Sequence, residues 1–258
     1  MKKISMKLKK VHIIVDMDNT LLSMECLNAV IETALSAQLH PDAIAKAMEK
    51  IHAEMDKGMD GRSKLSETIP ARLSMAKQLG APVALKHFEI VSKIVPNTLT
   101  QGIVTALRDA CAVQPEHAIS LSIVSGGPQI CVDAAVKELK LQLHADNGTQ
   151  IAVSGIGSKI LLTEDGDLDQ IHSRIQDSKI NAVKEIVNNP ARAVMLGDGS
   201  MDIEVYDAGI VNYFIAVGLW VRRPLLFDRA DNLPYYIKAD QKEILSSSLH
   251  TVLHAIQS

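Results

Sequence analysis

Four short segments carry residue types that could do chemistry together. Asp16-Met17-Asp18-Asn19-Thr20 sets two acids one residue apart, directly after an apolar run at 11–15. Both acids can face one cation if the chain leaves a sheet between them. Ser125-Gly126-Gly127-Pro128 follows a second apolar run and offers a hydroxyl and approachable backbone amides, which suit an anion. Pro128 suits the first turn of a helix, and a helix N-terminus favours phosphate. Lys179 follows two candidate caps, Asp177 and Ser178, and lies in the first turn of a helical stretch at 180–187. A cation there opposes the helix dipole, a cost that an anionic partner would offset. Gly197-Asp198-Gly199-Ser200-Met201-Asp202 places Asp198 at a strand tip and Asp202 one helical turn later. Each segment alone also reads as something ordinary: a surface turn, a glycine-rich connection, a solvated lysine, a capped turn. As a set they are more specific. Carboxylate oxygens select a hard cation, most simply Mg²⁺. A cation with a lysine and amides makes a phosphate pocket, and an aspartate beside it can attack phosphorus to form an aspartyl-phosphate.

The elements that would position these residues follow from the apolar patterning. The runs at 11–15, 119–124, 192–197 and 213–218 are short and largely β-branched or aliphatic, and each ends in polar or glycine-rich residues before a helical pattern. That alternation predicts a three-layer α/β domain with a mostly parallel sheet, in which ligands sit beyond the carboxyl ends of the strands. The stretch from Leu27 to Lys93 carries no strand signal. Leu27, Val30, Ile31, Ala34 and Leu35 repeat at helical spacing, as do Ile44, Ala47, Met48 and Ile51, and Pro41 marks a start. Leu65, Ile69, Leu73, Ala76 and Leu79 form a further stripe. We expect a helical cap domain at 24–95 inserted into a catalytic core formed by 1–23 and 96–258. Arg72 falls inside the last stripe, about 20° from Leu65 on a helical wheel, although Pro70 could restart the helix. A buried arginine needs an anion, and a bidentate carboxylate suits it; the bland alternative is a side chain that snorkels out of the cap. Residues 145–167 predict two short strands, one in QIAVSG and one in SKILLTEDG, with turn residues between them, as a β-hairpin or a small mixed extension. A last strand at YYIK and a closing helix at 242–256 complete the chain.

Composition narrows the partners. The 258 residues are 47% hydrophobic and 22% charged, which supports a sizeable core and excludes disordered and low-complexity classes. Lys and Arg number 27 against 30 Asp and Glu, so a net charge of -3 argues against nucleic acid and anionic membrane. Cys26, Cys111 and Cys131 show neither a disulfide framework nor metal-finger spacing, which predicts a reducing, cytoplasmic setting. The lysines of MKKISMKLKK read as a solvated arm. No apolar stretch follows them long enough for a signal peptide or a membrane span.

The order D-x-D, Ser, Lys, G-D-x-x-x-D resembles the haloacid dehalogenase-like phosphatases. Within them, DMDNTLLSME with Glu25 nine residues after Asp16 is similar to the phosphoserine phosphatase family. The resemblance covers nearly the whole chain. It implies Asp16 as nucleophile and Asp18 as general acid-base. It implies that Ser125, Gly126, Gly127 and Lys179 hold the phosphoryl group. Mg²⁺ would be bound by Asp16, the backbone carbonyl of Asp18 and Asp198, with Asp202 in support. Glu25 would meet the substrate ammonium and Arg72 its carboxylate. Departures from the family pattern are Leu65 in place of an aromatic residue, Pro128 in place of Phe, Met201 in place of Asn or Thr, and Leu219-Trp220 within FIAVGLWVRRP.

The expected activity is Mg²⁺-dependent hydrolysis of O-phospho-L-serine to serine and phosphate, by a monomer or a homodimer. The alternatives are a phosphatase or phosphotransferase for another small phosphorylated metabolite, or, from a different class, a phosphate-binding scaffold with an idle site. The intact set of Asp16, Asp18, Lys179 and Asp198 argues against the scaffold.

Overall fold

The computed structural model describes residues 10–113, 118–143, 151–164, 167–175, 177–230 and 235–257. The lysine-rich arm at 1–9 and the Cys111 side chain lie outside the described residues.

Seven strands form one sheet in the order β4-β3-β2-β1-β5-β6-β7. They are β1 (Lys10–Val15), β2 (Ala118–Pro128), β3 (Ala152–Leu162), β4 (Leu168–His172), β5 (Ala193–Gly197), β6 (Tyr213–Val217) and β7 (Tyr236–Ala239). All neighbours are parallel except β3 and β4. Every residue of β5 and β6 is buried, so both faces of the sheet there are covered, as parallel strands require. The helices are α1 (Cys26–Ser36), α2 (Pro41–Met59), α3 (Leu65–Gln78), α4 (Leu85–Ile94), α5 (Gln101–Val113), α6 (Gln129–Gln142), α7 (Ile180–Ile186), α8 (Ser200–Asp207), α9 (Pro224–Phe227) and α10 (Lys242–Gln257).

The topology itself places the site. The chain runs outward from β1 through β2 to β3 on one side, and through β5, β6 and β7 on the other. The reversal leaves a crevice at the carboxyl end of β1, between the ends of β2 and β5. Val15 is in register with Ile123 on one side and Leu196 on the other. The segments at 16–20, 125–128 and 197–202 therefore emerge side by side.

Helices α1 to α4 are inserted after β1 with no strand among them, as the patterning predicts. The insert's two ends are joined: Ser23 N donates to Thr98 O at 2.8 Å, Thr100 N donates to Leu21 O at 2.8 Å, and Leu22 bridges Leu99. Pro41 occupies the first turn of α2. Two expectations for α3 are corrected. Pro70 does not restart the helix, which runs unbroken from Leu65 to Gln78, and Leu79 lies beyond its end and is exposed.

The hairpin near 145–167 is also corrected. Ala152–Gly155 and Ser158–Leu162 belong to one eleven-residue strand, β3, whose antiparallel partner is β4; residues 145–150 and 165–166 of the expected pair lie outside the described residues. Gly155 does not mark a turn there; a Cβ on it would strike the Val132 and Val136 side chains of α6. It lets the helix lie close on the sheet. Likewise, β2 continues through Ser125-Gly126-Gly127-Pro128 instead of turning, with a register shift against β3 after Val124. Pro128 sits just before α6, not inside its first turn. Among the described residues no helix is long and apolar enough to cross a membrane.

Candidate active site

Asp16 leaves β1 with its amide bonded to Leu196 O at 2.9 Å, which ties the tip of β1 to the tip of β5. The following turn, Met17–Leu21, bends back on itself through Asn19 at φ 55°, a left-handed conformation that asparagine tolerates. This turn sends Asp16 and Asp18 in different directions. The Asp18 carboxylate accepts the Cys26 amide at 2.9 Å, at the start of α1. The Asp16 carboxylate joins those of Asp198 and Asp202, and these three lie within 4.8 Å of one another.

Asp198 follows β5, and its oxygens are held by Thr20 Oγ1 at 3.2 Å and Arg223 Nε at 3.3 Å. Asp202 accepts the Gly199 amide at 3.0 Å, capping α8. Gly197 makes this possible, because a Cβ there would strike the Asp202 side chain. Lys179, just before α7, donates to Asp202 Oδ1 at 2.6 Å and to Asp16 Oδ1. Those two anions supply the partner that a lysine at a helix start demands.

The electrostatics are dominated by burial. Asp16, Asp18, Asp198, Asp202 and Lys179 are all buried. Burial, reinforced by the charges of Glu25 and Asp16, pushes the Asp18 carboxyl up to about 8. Burial and then the Asp16 charge raise Asp202 to about 6, and burial with Asp16 and Asp202 holds Asp198 well above the usual carboxylate range. Burial works against the Lys179 ammonium, but Asp16 and Asp202 more than offset it and keep it charged. The donor set fits a cation: three buried carboxylates converge, with two cationic side chains, Lys179 and Arg223, beside them. All-oxygen donors suit a hard divalent ion such as Mg²⁺.

The segment Ser125–Pro128 faces this cluster across the pocket. Ser125 Oγ accepts the Gly127 amide at 2.9 Å, so its own proton is free to point elsewhere. Ser125, Gly126, Gly127 and Lys179 line the same pocket as Asp16 and Asp18. Glu25 and Arg72 line it too. Arg72 is only 2% exposed, so it does not snorkel. Its Nη1 donates to Glu25 Oε1 at 3.1 Å and to Asn28 Oδ1 at 3.0 Å. Glu25 also caps α1 by accepting the Asn28 amide at 2.6 Å. Of the sequence candidates, Asp16, Asp18, Glu25, Arg72, Ser125, Gly126, Gly127, Lys179 and Asp202 line this pocket, while Asp198 does not line it and lies beside it in the carboxylate cluster.

The four departures divide. Leu65, Pro128 and Met201 line the pocket. Trp220 does not; it is half-exposed and its Nε1 donates to Thr100 Oγ1 at 2.9 Å. Cys26 and Cys131 are buried free thiols. Three residues were missed: Thr20, Asn28 and Arg223. Thr20 was within the quoted D-x-D segment, and Arg223 is the next-to-last residue of the quoted FIAVGLWVRRP. Besides Asp198, Arg223 reaches Asp56 at 3.3 Å and Asp60 at 3.4 Å near the end of α2, while its Nη2 is buried without a partner.

No protein-family model matches the sequence, and no curated protein sequence does. Solved structures do match. A phosphoserine phosphohydrolase-like protein from Francisella tularensis is similar at 20% identity and TM-score 0.69, over 92% of this chain and 98% of that one. A phosphoserine phosphatase solved as a phospho-aspartyl intermediate analogue matches at 21% identity and TM-score 0.63, over 93% and 99%. A HAD family hydrolase, t0658, from Salmonella enterica serovar Typhi matches at 18% identity and TM-score 0.58, over 93% and 72%. At these identities the likeness gives the fold: an α/β core of the haloacid dehalogenase type with inserted helices.

Proposed function

We propose that the protein is a Mg²⁺-dependent phosphomonoester hydrolase that works through an aspartyl-phosphate on Asp16, with O-phospho-L-serine as the favoured substrate. The observation that carries this reading is the cluster of Asp16, Asp198 and Asp202, tied together by Lys179, at the side of a pocket that Asp16, Asp202 and Lys179 line with Asp18, Ser125 and Glu25.

When bound by Asp16, Asp198 and Asp202, Mg²⁺ supplies positive charge to the equatorial phosphoryl oxygens. Lys179 adds a fixed cation and orients the Asp16 carboxylate by hydrogen bonding to it. The Ser125 hydroxyl and the nearby glycine amides donate to the phosphoryl group. The free Asp16 oxygen attacks phosphorus, and the bond from phosphorus to the leaving oxygen breaks. Asp18, protonated at neutral pH because it is raised to about 8, gives its proton to that oxygen. Its carboxylate then takes a proton from the water that attacks the aspartyl-phosphate, releasing phosphate and restoring Asp16. Glu25 would receive the substrate ammonium and Arg72 its carboxylate. The inserted helices at 24–95 act as a cap domain that must shift to admit substrate. On this reading the products are serine and phosphate, and the protein serves serine formation in the cytoplasm.

The second reading is a phosphatase or phosphotransferase for another small metabolite. Leu65, Pro128 and Met201 in the pocket wall favour it, because none donates a side-chain hydrogen bond. The deciding experiment is phosphate release with Mg²⁺ from phosphoserine, phosphothreonine and phosphoethanolamine, alongside Asp16→Asn. Turnover that persists in Asp16→Asn would sink the covalent mechanism. Turnover of other esters but not of phosphoserine would sink the substrate.

A further inference from the structure

Arg223 ties the carboxylate cluster to the inserted helices while remaining incompletely bonded itself. It is buried, and its backbone is fixed by α9, whose Leu226 and Phe227 amides donate to Arg223 O at 3.0 Å. The guanidinium spans two sets of carboxylates. Nε donates to Asp198 Oδ2 at 3.3 Å, while Nη1 donates to Asp56 Oδ1 at 3.3 Å and to Asp60 Oδ1 at 3.4 Å. All three contacts are long, since charge-assisted bonds of this kind run to about 2.7–2.9 Å. Nη2 is buried and has no partner. A well-paired guanidinium forks one carboxylate through two nitrogens; this one makes single-point contacts to three.

The two sides of this bridge are held with different firmness. Asp198 is fully buried at the tip of β5, and its other oxygen accepts Thr20 Oγ1 at 3.2 Å. Asp56 and Asp60 lie at the end of α2, with side chains 45% and 32% exposed. Asp60 also gives its second oxygen to Arg62, at 2.9 Å. The same end of α2 rests on the segment that follows Asp198. Ser200 Oγ donates to Gly58 O at 3.3 Å, and Met59 lies so close to Gly199 that a Cβ there would strike it. The inserted helices therefore dock beside the metal ligands through carboxylates that water can reach.

The orphaned nitrogen indicates what Arg223 does when α2 loosens. Nη2 and Nε share the edge of the planar guanidinium that forks a carboxylate. Relieved of Asp56 and Asp60, Arg223 keeps one anion, Asp198, and a fork through Nε and Nη2 would engage both of its oxygens and satisfy the orphan. With α2 docked, Asp56 and Asp60 draw on Nη1 and hold Arg223 to a single oxygen. We infer that Arg223 is a positioning residue that Asp56 and Asp60 hold off one Asp198 oxygen, so that docking of α2 sets how Asp198 is presented to a cation. The inference rests on the Mg²⁺ part of the proposed function and not on the choice of ester. Coupling of this kind is reciprocal, so the cation should in turn tighten the end of α2.

The test is a mutant cycle read by calorimetric binding of Mg²⁺ to the full chain. Asp56→Asn with Asp60→Asn should weaken Mg²⁺ binding about five- to tenfold, the low end for coupled sites, because both acids are partly exposed. In an Arg223→Met background the same two substitutions should change affinity by less than about twofold. Charge acting through space would weaken binding equally in both backgrounds, and that result overturns the inference, as does no loss in the wild-type background. Arg223→Lys keeps the charge but not the fork, so it should be equally insensitive to the acids, and it takes the place of Arg223→Met if that variant does not fold. Hydrogen exchange gives a readout independent of turnover. The amides of Asp60, Gly61 and Arg62 are bonded back to Asp56, Gly58 and Lys57. Relative to EDTA, Mg²⁺ should slow their exchange in the wild-type chain but not in the Arg223 variant; equal slowing in both overturns the coupling. Phosphate release by the wild-type chain with Mg²⁺, measured alongside, keeps the two readings apart. Turnover together with an acid effect that ignores Arg223 leaves the phosphatase standing without the coupling, and a wild-type chain that binds no Mg²⁺ removes both.

Discussion

Arg72→Ala is the sharpest perturbation, because the side chain should matter to stability and to substrate choice by different routes. Arg72 is almost fully buried and donates to Glu25, to Asn28 and, at 3.4 Å, to Thr68 O. Its removal leaves the Asn28 side-chain oxygen and one Glu25 oxygen without their donor. Breaking a buried ion pair from one side costs about 3–5 kcal/mol. Glu25 keeps its bond to the Asn28 amide and is 16% exposed in its side chain, which argues for the low end. We expect a loss of about 3 kcal/mol, or a fall in Tm of roughly 6–12 °C. Glu25→Gln combined with Arg72→Met should recover part of it, since no charge is then stranded. If Arg72 also reads a carboxylate, kcat/KM for phosphoserine should fall by about 30- to 1,000-fold more than for an aryl phosphate, the equivalent of about 2–4 kcal/mol. Urea unfolding and steady-state kinetics on the same preparations separate the two effects. Equal losses on both substrates would reduce Arg72 to a packing role. A stability change under about 0.5 kcal/mol would refute the buried-pair argument itself.

Asp18→Asn should slow an alkyl phosphate by roughly 10² to 10⁴ in kcat, and a nitrophenyl phosphate far less, because only the alkoxide needs a proton; equal losses would remove Asp18 from proton transfer. For the metal-free protein, Asp18 at about 8, Asp202 at about 6 and Asp198 well above normal all bind protons more tightly folded than unfolded. Their contribution is fully present below about pH 4 and is lost as pH rises through 6 to 8, while Lys179 stays charged throughout. Denaturant midpoints in EDTA should therefore fall from pH 5 to pH 8, and saturating Mg²⁺ should reduce that slope; a flat EDTA profile would contradict the burial argument. Arg223→Met should weaken Mg²⁺ retention measured by calorimetry, because Asp198 loses the donor at 3.3 Å that orients it and Asp56 and Asp60 lose their tie to the core; unchanged metal affinity would show that Thr20 orients Asp198 alone.

What was legible in the sequence had local causes. Asp16, Asp198 and Ser125 could be placed together because each follows an apolar run that had to be a strand, and parallel strands put their ends on one side. Arg72 was legible because it interrupts an apolar helical stripe, where a charge has to be explained. The misreadings share a different cause. Gly155 looked like turn chemistry, but its role is set by Val132 and Val136 on α6, about twenty residues away. Arg223 carried no local signal, because its partners, Asp198 and the end of α2, are brought to it only by the fold. Ile171 carried no signal at all, since β4 reaches the pocket only through its pairing with β3 and the contacts of the hairpin with α3. Trp220, a departure from the family pattern, lies outside the pocket because the loop after β6 turns it towards Thr100.

The central position of β1 has a consequence during synthesis. Its two neighbours are β2, which begins at Ala118, and β5, which begins at Ala193. At about 5–20 residues per second, the ribosome takes roughly ten to forty seconds after making Val15 to supply the second partner. Throughout that interval the VHIIV segment has at least one unpaired, apolar edge, the kind of surface that invites pairing with other chains. Asp16 is made about 180 residues before Asp198 and Asp202, so the carboxylate cluster cannot assemble until the strand that shields this edge of β1 has also been made.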